Sequence, residues 1–413
     1  MDARGLSAGA SLLSNLTMNS NLPNIGIMHD WLDSYGGAEK QIEQLSIMYP
    51  GADLYTIFDL RGGFRPIDLS ALKIHTSWLN DLPLVRKYYR SLLLLSMRAI
   101  EHFDVTHHDI VLSVSSALSK GVITRAGQTH LAYVNSPARY AWDLHAEYIA
   151  AVGGPLAKIK RAFAREMFHR FRKWDMRTHQ SVDLFLGNSN YVSERIWKTY
   201  RRRAYTLYPP VDTSAFTMST APKEDYFVCA SRMVPYKRMD LIAEAFSHMP
   251  EKRLVMIGSG PELDRVKAKA GQNVEVLGYQ PFEVMLEYFQ RAKALIFAAQ
   301  EDFGIVPVEA QACGTPVIAL NRGGTAETIR PLGQFARPTG VQFGRQTVGD
   351  IKEAVETFDS NIDQFDPREC LMNAQRFSNE RFRAEVKFLV EAGLKEGFRE
   401  ETILDRAEIL QDA

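Results

Sequence analysis

Cysteine is scarce. The three in the chain, Cys229, Cys313 and Cys370, stand far apart, with no CxxC pair and no histidine cluster beside them. This excludes a disulfide framework, argues against a structural zinc site and suits a reducing cytosol. An excess of one charge is also missing. Lys+Arg and Asp+Glu both number 49, so there is no global electrostatic case for a nucleic-acid partner. Long apolar runs are absent too. Leu92–Leu95, bounded by Arg90 and Arg98, falls far short of the roughly 18 to 20 residues that cross a bilayer. The chain can lie on a membrane but is not expected to span one. Residues 1–23 lack the apolar core of a signal peptide and read as a mobile tail. What remains is ordinary: 413 residues, 46% hydrophobic and 24% charged, the composition of a globular enzyme of about two domains.

The second half has the clearer rhythm. Short apolar runs at 226–230, 253–258, 274–277, 294–299 and 316–319 read as buried strands, with helical stretches at 239–248, 281–291 and 305–312 between them. Such alternation predicts a parallel sheet covered on both faces, an α/β doubly wound Rossmann-like domain. The first half repeats it with larger insertions, with strands at 25–29, 53–58, 109–114, 130–135 and 182–187. Tyr208-Pro-Pro-Val-Asp212 cannot continue a helix or a central strand, which puts a linker near 209–222. The expected division is a tail at 1–23, a first domain at 24–213, a second at 214–378 and a helical segment at 379–413 that can pack back on the first domain. Two such domains enclose a cleft, and the chemistry should come from loops after strands.

Three of those loops stand out. Gln300-Glu-Asp-Phe-Gly-Ile-Val-Pro-Val-Glu309 follows the strand 294–299 and opens a helix, whose free N–H groups suit a phosphate. Glu301 and Glu309 lie eight residues apart, so one carboxylate can reach a reacting group while the other binds hydroxyls. Taken alone, the acidic pair Glu301 and Asp302 could equally cap the helix. Ser231-Arg-Met-Val-Pro-Tyr-Lys-Arg238 follows the strand 226–230 and sets Arg232 and Lys237 at the same cleft edge, where two cations can neutralise a leaving diphosphate. Asp30-Trp-Leu-Asp-Ser-Tyr-Gly-Gly-Ala-Glu39 follows the first strand, and Gly36-Gly37 is either a tight turn or a loop whose amides approach phosphate. It is not a GxxxxGK(S/T) loop.

In combination these segments, with Asn188-Ser189 and Tyr208-Pro-Pro-Val-Asp212, resemble the retaining GT-B glycosyltransferases of family 4 over most of residues 24–390. Tyr133-Val-Asn-Ser-Pro-Ala-Arg-Tyr-Ala-Trp-Asp143 is similar to a subgroup, the mannosyltransferases of O-antigen and exopolysaccharide synthesis. The resemblance implies a GT-B fold and a nucleotide-sugar donor, GDP-mannose foremost. It implies a polyprenyl-diphosphate-linked oligosaccharide acceptor and no required metal or other cofactor. Gly36 and Gly37 would approach the donor diphosphate, and Arg232 and Lys237 would hold it as it leaves. Glu301 would contact sugar hydroxyls, the amides of Phe303, Gly304, Ile305 and Val306 would face sugar and phosphate, Glu309 would bind the ribose and Gly278 would flank the base. Many relatives carry histidine where this chain has Asn135, which can hydrogen-bond but cannot carry a proton. His29, His130 and His145 are the candidate substitutes.

Two stretches bear on the acceptor. In 156–177, Leu156, Ile159, Phe163, Met167, Phe171 and Trp174 recur at helical spacing among eight Lys and Arg. Residues 84–100 add Tyr88, Tyr89 and Leu92–Leu95 among Arg86, Lys87, Arg90 and Arg98. Basic amphipathic helices of this kind suit an anionic membrane surface, hence a peripheral place on the inner face of the plasma membrane. The rival readings are a UDP-sugar donor on the same frame, a sugar-nucleotide epimerase or phosphorylase, and a non-catalytic nucleotide-sugar-binding protein.

Overall fold

The computed structural model describes residues 23–33, 35–61 and 67–396. The predicted mobile tail, apart from residue 23, and the end of the last segment lie outside the described residues. Among the described residues, thirteen strands form two parallel sheets. The first runs in the order β3-β2-β1-β4-β5-β6-β7: β1 is Ile25–Leu32, β2 Asp53–Asp59, β3 Lys73–Thr76, β4 Ile110–Ser115, β5 Thr129–Val134, β6 Leu184–Gly187 and β7 Ala204–Thr206. The second runs β10-β9-β8-β11-β12-β13: β8 is Phe227–Ala230, β9 Leu254–Ile257, β10 Val274–Gly278, β11 Ala294–Phe297, β12 Val317–Leu320 and β13 Gly340–Phe343. The expectation of two Rossmann-like domains holds. Three strands were not foreseen: the edge strands β3, β7 and β13.

The reason is local. Central strands such as β4 (IVLSVS) and β8 (FVCA) are buried throughout, because helices cover both faces of a parallel sheet. Apolar cores on each face of both sheets hold them. The edge strand β3 (KIHT) is mostly exposed, and β7 has three residues, so neither carries an apolar run.

In each sheet the strand order reverses direction at one place, and a crevice opens there beyond the carboxyl ends. In the first sheet that place lies between β1 and β4, and in the second between β8 and β11. The loops after β1, β8 and β11 are the three singled out above. The helix Asn379–Glu396 returns to the first domain, where Phe382, Val386, Leu389 and Val390 enter the core beside β1 and β4. Burial of such side chains stabilises by about 1.5–3 kcal/mol each.

Candidate functional site

The loops meet in a cleft of ≈ 520 Å³ between the domains. Gly37, Asn135, Lys237, Glu301 and the run Phe303–Val306 line it. Gly36, Arg232, Gly278 and Glu309 do not line this cavity. Gly304 adopts φ +86 and precedes the helix Ile305–Ala312, so the backbone turns there in a way that favours glycine. The first-turn amides of a helix have no intrahelical partner. Those of Ile305 and Val306 border the cleft, and Pro307 in the third position has no N–H to leave unpaired.

Lys237 pairs with Glu301 across the cleft floor, its ammonium 5.6 Å from the centre of the Phe297 ring. Burial and the nearby Arg232 guanidinium push Lys237 down to about 8. The protonated form is the one that binds phosphate. Nucleoside diphosphate affinity is therefore expected to weaken as pH rises past about 8. Calorimetric titration across roughly pH 6.5 to 9.5 checks this; Lys223, which burial also pushes down to about 8, does not line the cleft. A flat profile would show that Lys237 does not touch the phosphates.

On the opposite wall, a Cβ at Gly37 would lie 3.3 Å from Ile305 Cδ1, so the two domains approach closely at that glycine. The Gly36 amide is already used: it donates to Glu39 Oε2 at 2.9 Å. Asn135 Oδ1 accepts from Gln41 Nε2 at 2.8 Å, and its carbonyl accepts from Asn188 Nδ2 at 3.0 Å. None of the three histidines considered as substitutes lines the cleft. His130 is buried against Ser113 and pushed down to about 4 by burial. His29 sits at 3.7 Å from Glu39 Oε1. Burial pulls its pKa down, and Glu39 and Asp30 overcome that pull and leave it raised. His145 Nδ1 faces Arg172.

Sequence reasoning missed the pairings between the domains and the supports beneath the loops. Asp302 pairs with Arg139 and with Arg195 Nη1, the latter at 3.0 Å; both arginines belong to the first domain. Glu309 is held by Lys40 of the first domain at 3.0 Å. Glu327 accepts from the Asn190 and Tyr191 amides at 2.9 and 3.0 Å, capping a first-domain helix from the second domain. Asp30 accepts four backbone N–H bonds, from Ser116, Ala117, Leu118 and Ser119, and so fixes the loop after β4. Gly323 and Gly324 pack beneath the Glu301 loop, where Cβ atoms would lie 2.1 Å from Glu301 O and 2.2 Å from Phe303 Cα. Their signal was present: a Gly-Gly pair after a strand, as at Gly36-Gly37.

Among the described residues, Asp53, His107 and His108 form the one group with metal-ligand spacing. They sit at or before the starts of β2 and β4, at the ends of the strands away from the cleft.

The fold, two parallel-sheet Rossmann-like domains around a cleft, is the GT-B glycosyltransferase architecture. Residues 213–364, within the second domain, match the family model described as glycosyl transferases group 1. Among curated proteins, the chain is 33% identical over 150 residues to a GDP-mannose-dependent monoacylated alpha-(1-6)-phosphatidylinositol monomannoside mannosyltransferase of Corynebacterium glutamicum. That match covers 31% of this chain and 38% of the relative. It is 28% identical over 221 residues to a D-inositol 3-phosphate glycosyltransferase of a Mycobacterium species, covering 48% and 49%. The chain thus spans less than half the length of these two relatives. Among solved structures, Anabaena HepE in complex with UDP and glucose aligns with a TM-score of 0.63 at 14% identity, covering 90% of this chain and 100% of that one. A glycosyltransferase from Rickettsia africae aligns with a TM-score of 0.58 at 15% identity, covering 91% and 100%.

Proposed function

We propose that the protein is a retaining glycosyltransferase that moves mannose from GDP-mannose to a polyprenyl-diphosphate-linked oligosaccharide in exopolysaccharide or O-antigen assembly. The observation that carries the reading is the convergence of Lys237, Glu301 and the Gly304–Val306 amides opposite Gly37 in one interdomain cleft. In the reaction, the bond between the anomeric carbon and the donor phosphate breaks as an acceptor hydroxyl forms the new glycosidic bond on the same face. The acceptor proton passes to the departing phosphate oxygen. Lys237, Arg232 and the helix amides stabilise the charge that develops there. Glu301 holds sugar hydroxyls and Asn135 donates a hydrogen bond. Glu309 is placed for the ribose once Lys40 releases it.

The name of the Corynebacterium relative supports a GDP-mannose donor. A UDP-sugar is the second reading, favoured by the UDP complex of the structural neighbour. Transfer of radiolabelled sugar to a bacterial lipid extract tests the proposal. GDP-mannose is expected to label lipid, and UDP-sugars are not, with activity retained in EDTA because the cations need no metal. Loss in EDTA restored by manganese would overturn the metal-independent reading. Donor binding with no transfer would favour a non-catalytic protein.

The membrane surface belongs to the same proposal, and none of the described helices is long and apolar enough to cross a membrane. The helix Ala157–Thr178 divides in two. Phe171 and Trp174 are buried, whereas Leu156, Ile159 and Phe163 are 69%, 65% and 65% exposed. Arg161 and Arg172 are tied to the carbonyls of Val152 and Ala141, and Arg170 and Arg177 pair with Glu166 and Glu101. Lys173 is exposed beside the buried half of the helix, and the exposed Lys158, Lys160 and Arg165 flank the bare apolar residues. Changing those three to Glu is expected to release the protein from anionic vesicles in flotation, at about 1 kcal/mol per cation, with circular dichroism unchanged. Undiminished flotation would show that the helix does not meet lipid.

A further inference from the structure

A second cavity, ≈ 390 Å³, opens in the first domain between the helices Leu93–Glu101 and Ala157–Thr178. Trp31, Tyr89, Leu93, Tyr140, Met167 and Phe168 form its walls. Trp31 and Tyr140 belong to the two first-domain motifs whose Gly37 and Asn135 line the interdomain cleft, but neither of them lines the cleft itself. The size falls within the ~300–1,000 Å³ of small-ligand sites.

Its surroundings define what could fill it. Tyr148 lines both this cavity and the interdomain cleft, so the two are separated by the width of one side chain. On the other side, Met167 lies on the same helix face as Phe163 and Ile159 by their spacing of four residues, Leu156 immediately precedes that helix, and those last three are exposed. An apolar path therefore runs from the helix surface into the cavity. Polar groups stand along it. Arg90 is a lining residue with a largely exposed side chain, paired with Asp33 at 3.0 Å. The Tyr140 hydroxyl is buried with no hydrogen-bond partner, which is costly unless a ligand oxygen meets it.

We propose that this cavity binds the first isoprene units of the lipid-linked acceptor, with the phosphate ester at Arg90 and Tyr140 and the reacting sugar beyond Tyr148 in the cleft. The inference rests on the glycosyltransferase reading and gives its acceptor a binding site. A single cavity of this size takes one chain, which favours an isoprenoid over a two-chain lipid anchor. Aromatic walls suit its branched, unsaturated units. The closeness of the two cavities also implies that few sugars separate the lipid from the hydroxyl that reacts.

The test uses farnesyl diphosphate as the probe, followed by calorimetry on the whole chain in saturating GDP, so that binding through the donor cleft is blocked. The wild type is expected to bind it saturably. Met167→Trp and Ser96→Leu, which fill the cavity from its two helices, are each expected to weaken it by about tenfold or more, the scale of a one-methylene misfit in an apolar pocket. Nucleoside diphosphate affinity should not change in either. If one variant fails to fold, the other decides. No binding by the wild type under saturating GDP, equal binding in a folded filled variant, or displacement by phosphatidylglycerol vesicles would each overturn the proposal. The binding readout needs no turnover. Farnesyl diphosphate binding with no sugar transfer would sink the catalytic reading alone, and transfer without this binding would sink the cavity.

Discussion

Replacing Lys237 with alanine is expected to lower kcat by about 100- to 1,000-fold, the usual cost of removing one preorganised contact to developing charge. The melting temperature should stay close to that of the wild type. The two expectations have one cause. Lys237 is held in the cleft beside Phe297 and Glu301, with its proton affinity depressed by burial and by Arg232. A cation kept in such a place costs the fold something, so its loss should not unfold the domain. Donor binding gives that cation a phosphate partner, and bond breaking adds charge to the same oxygens. Lys237→Arg should recover part of the rate, because charge returns but a planar fork replaces a compact ammonium. A Lys237→Ala enzyme with near-wild-type kcat would remove this residue from the chemistry.

The second large effect is expected at a residue that touches no substrate. In Gly324→Ala, the new methyl would lie 2.2 Å from Phe303 Cα and O. These are backbone atoms, so no flexible tip can swing aside and the loop carrying Glu301, Phe303 and Gly304 must move. A displacement near 1 Å in a positioned site costs about 100-fold, and overpacking costs typically 1–3 kcal/mol of stability. Both a fall in kcat/KM and a lower melting temperature are expected. Gly344→Ala and Gly349→Ala make the control, since a methyl at either position meets nothing within 4 Å. Unchanged kinetics in Gly324→Ala would show that the loop is not held from below.

The contrast between these two residues marks what a sequence can show. Lys237 is legible because it follows a strand in a parallel sheet, and ligands gather beyond the carboxyl ends of such strands. The buried strands were legible for a related reason: β8, β9 and β12 are unbroken apolar runs with polar or turn residues around them. The edge strand β3 has Lys73, His75 and Thr76 among its four residues and declares itself only by pairing with β2. The Asp302–Arg195 and Lys40–Glu309 pairs join residues 107 and 269 positions apart, and nothing in local periodicity encodes such a distance. The helix at 157–178 shows a subtler limit. Its spacing disclosed an apolar face but not that the face would be half buried and half bare.

The helix Asn379–Glu396 follows the second domain in sequence yet packs on the first, so among the described residues the chain crosses between domains twice. The crossings run side by side: Val211 bridges to Ser378, and its amide donates to Phe377 O at 2.9 Å. One tether would let the domains swivel about any axis. Two tethers tied together behave as a door hinge, free to swing about one line and resistant to twisting. Any opening of the cleft must follow that arc, and each closing must return Gly37 to Ile305 and Lys40 to Glu309 in the same alignment.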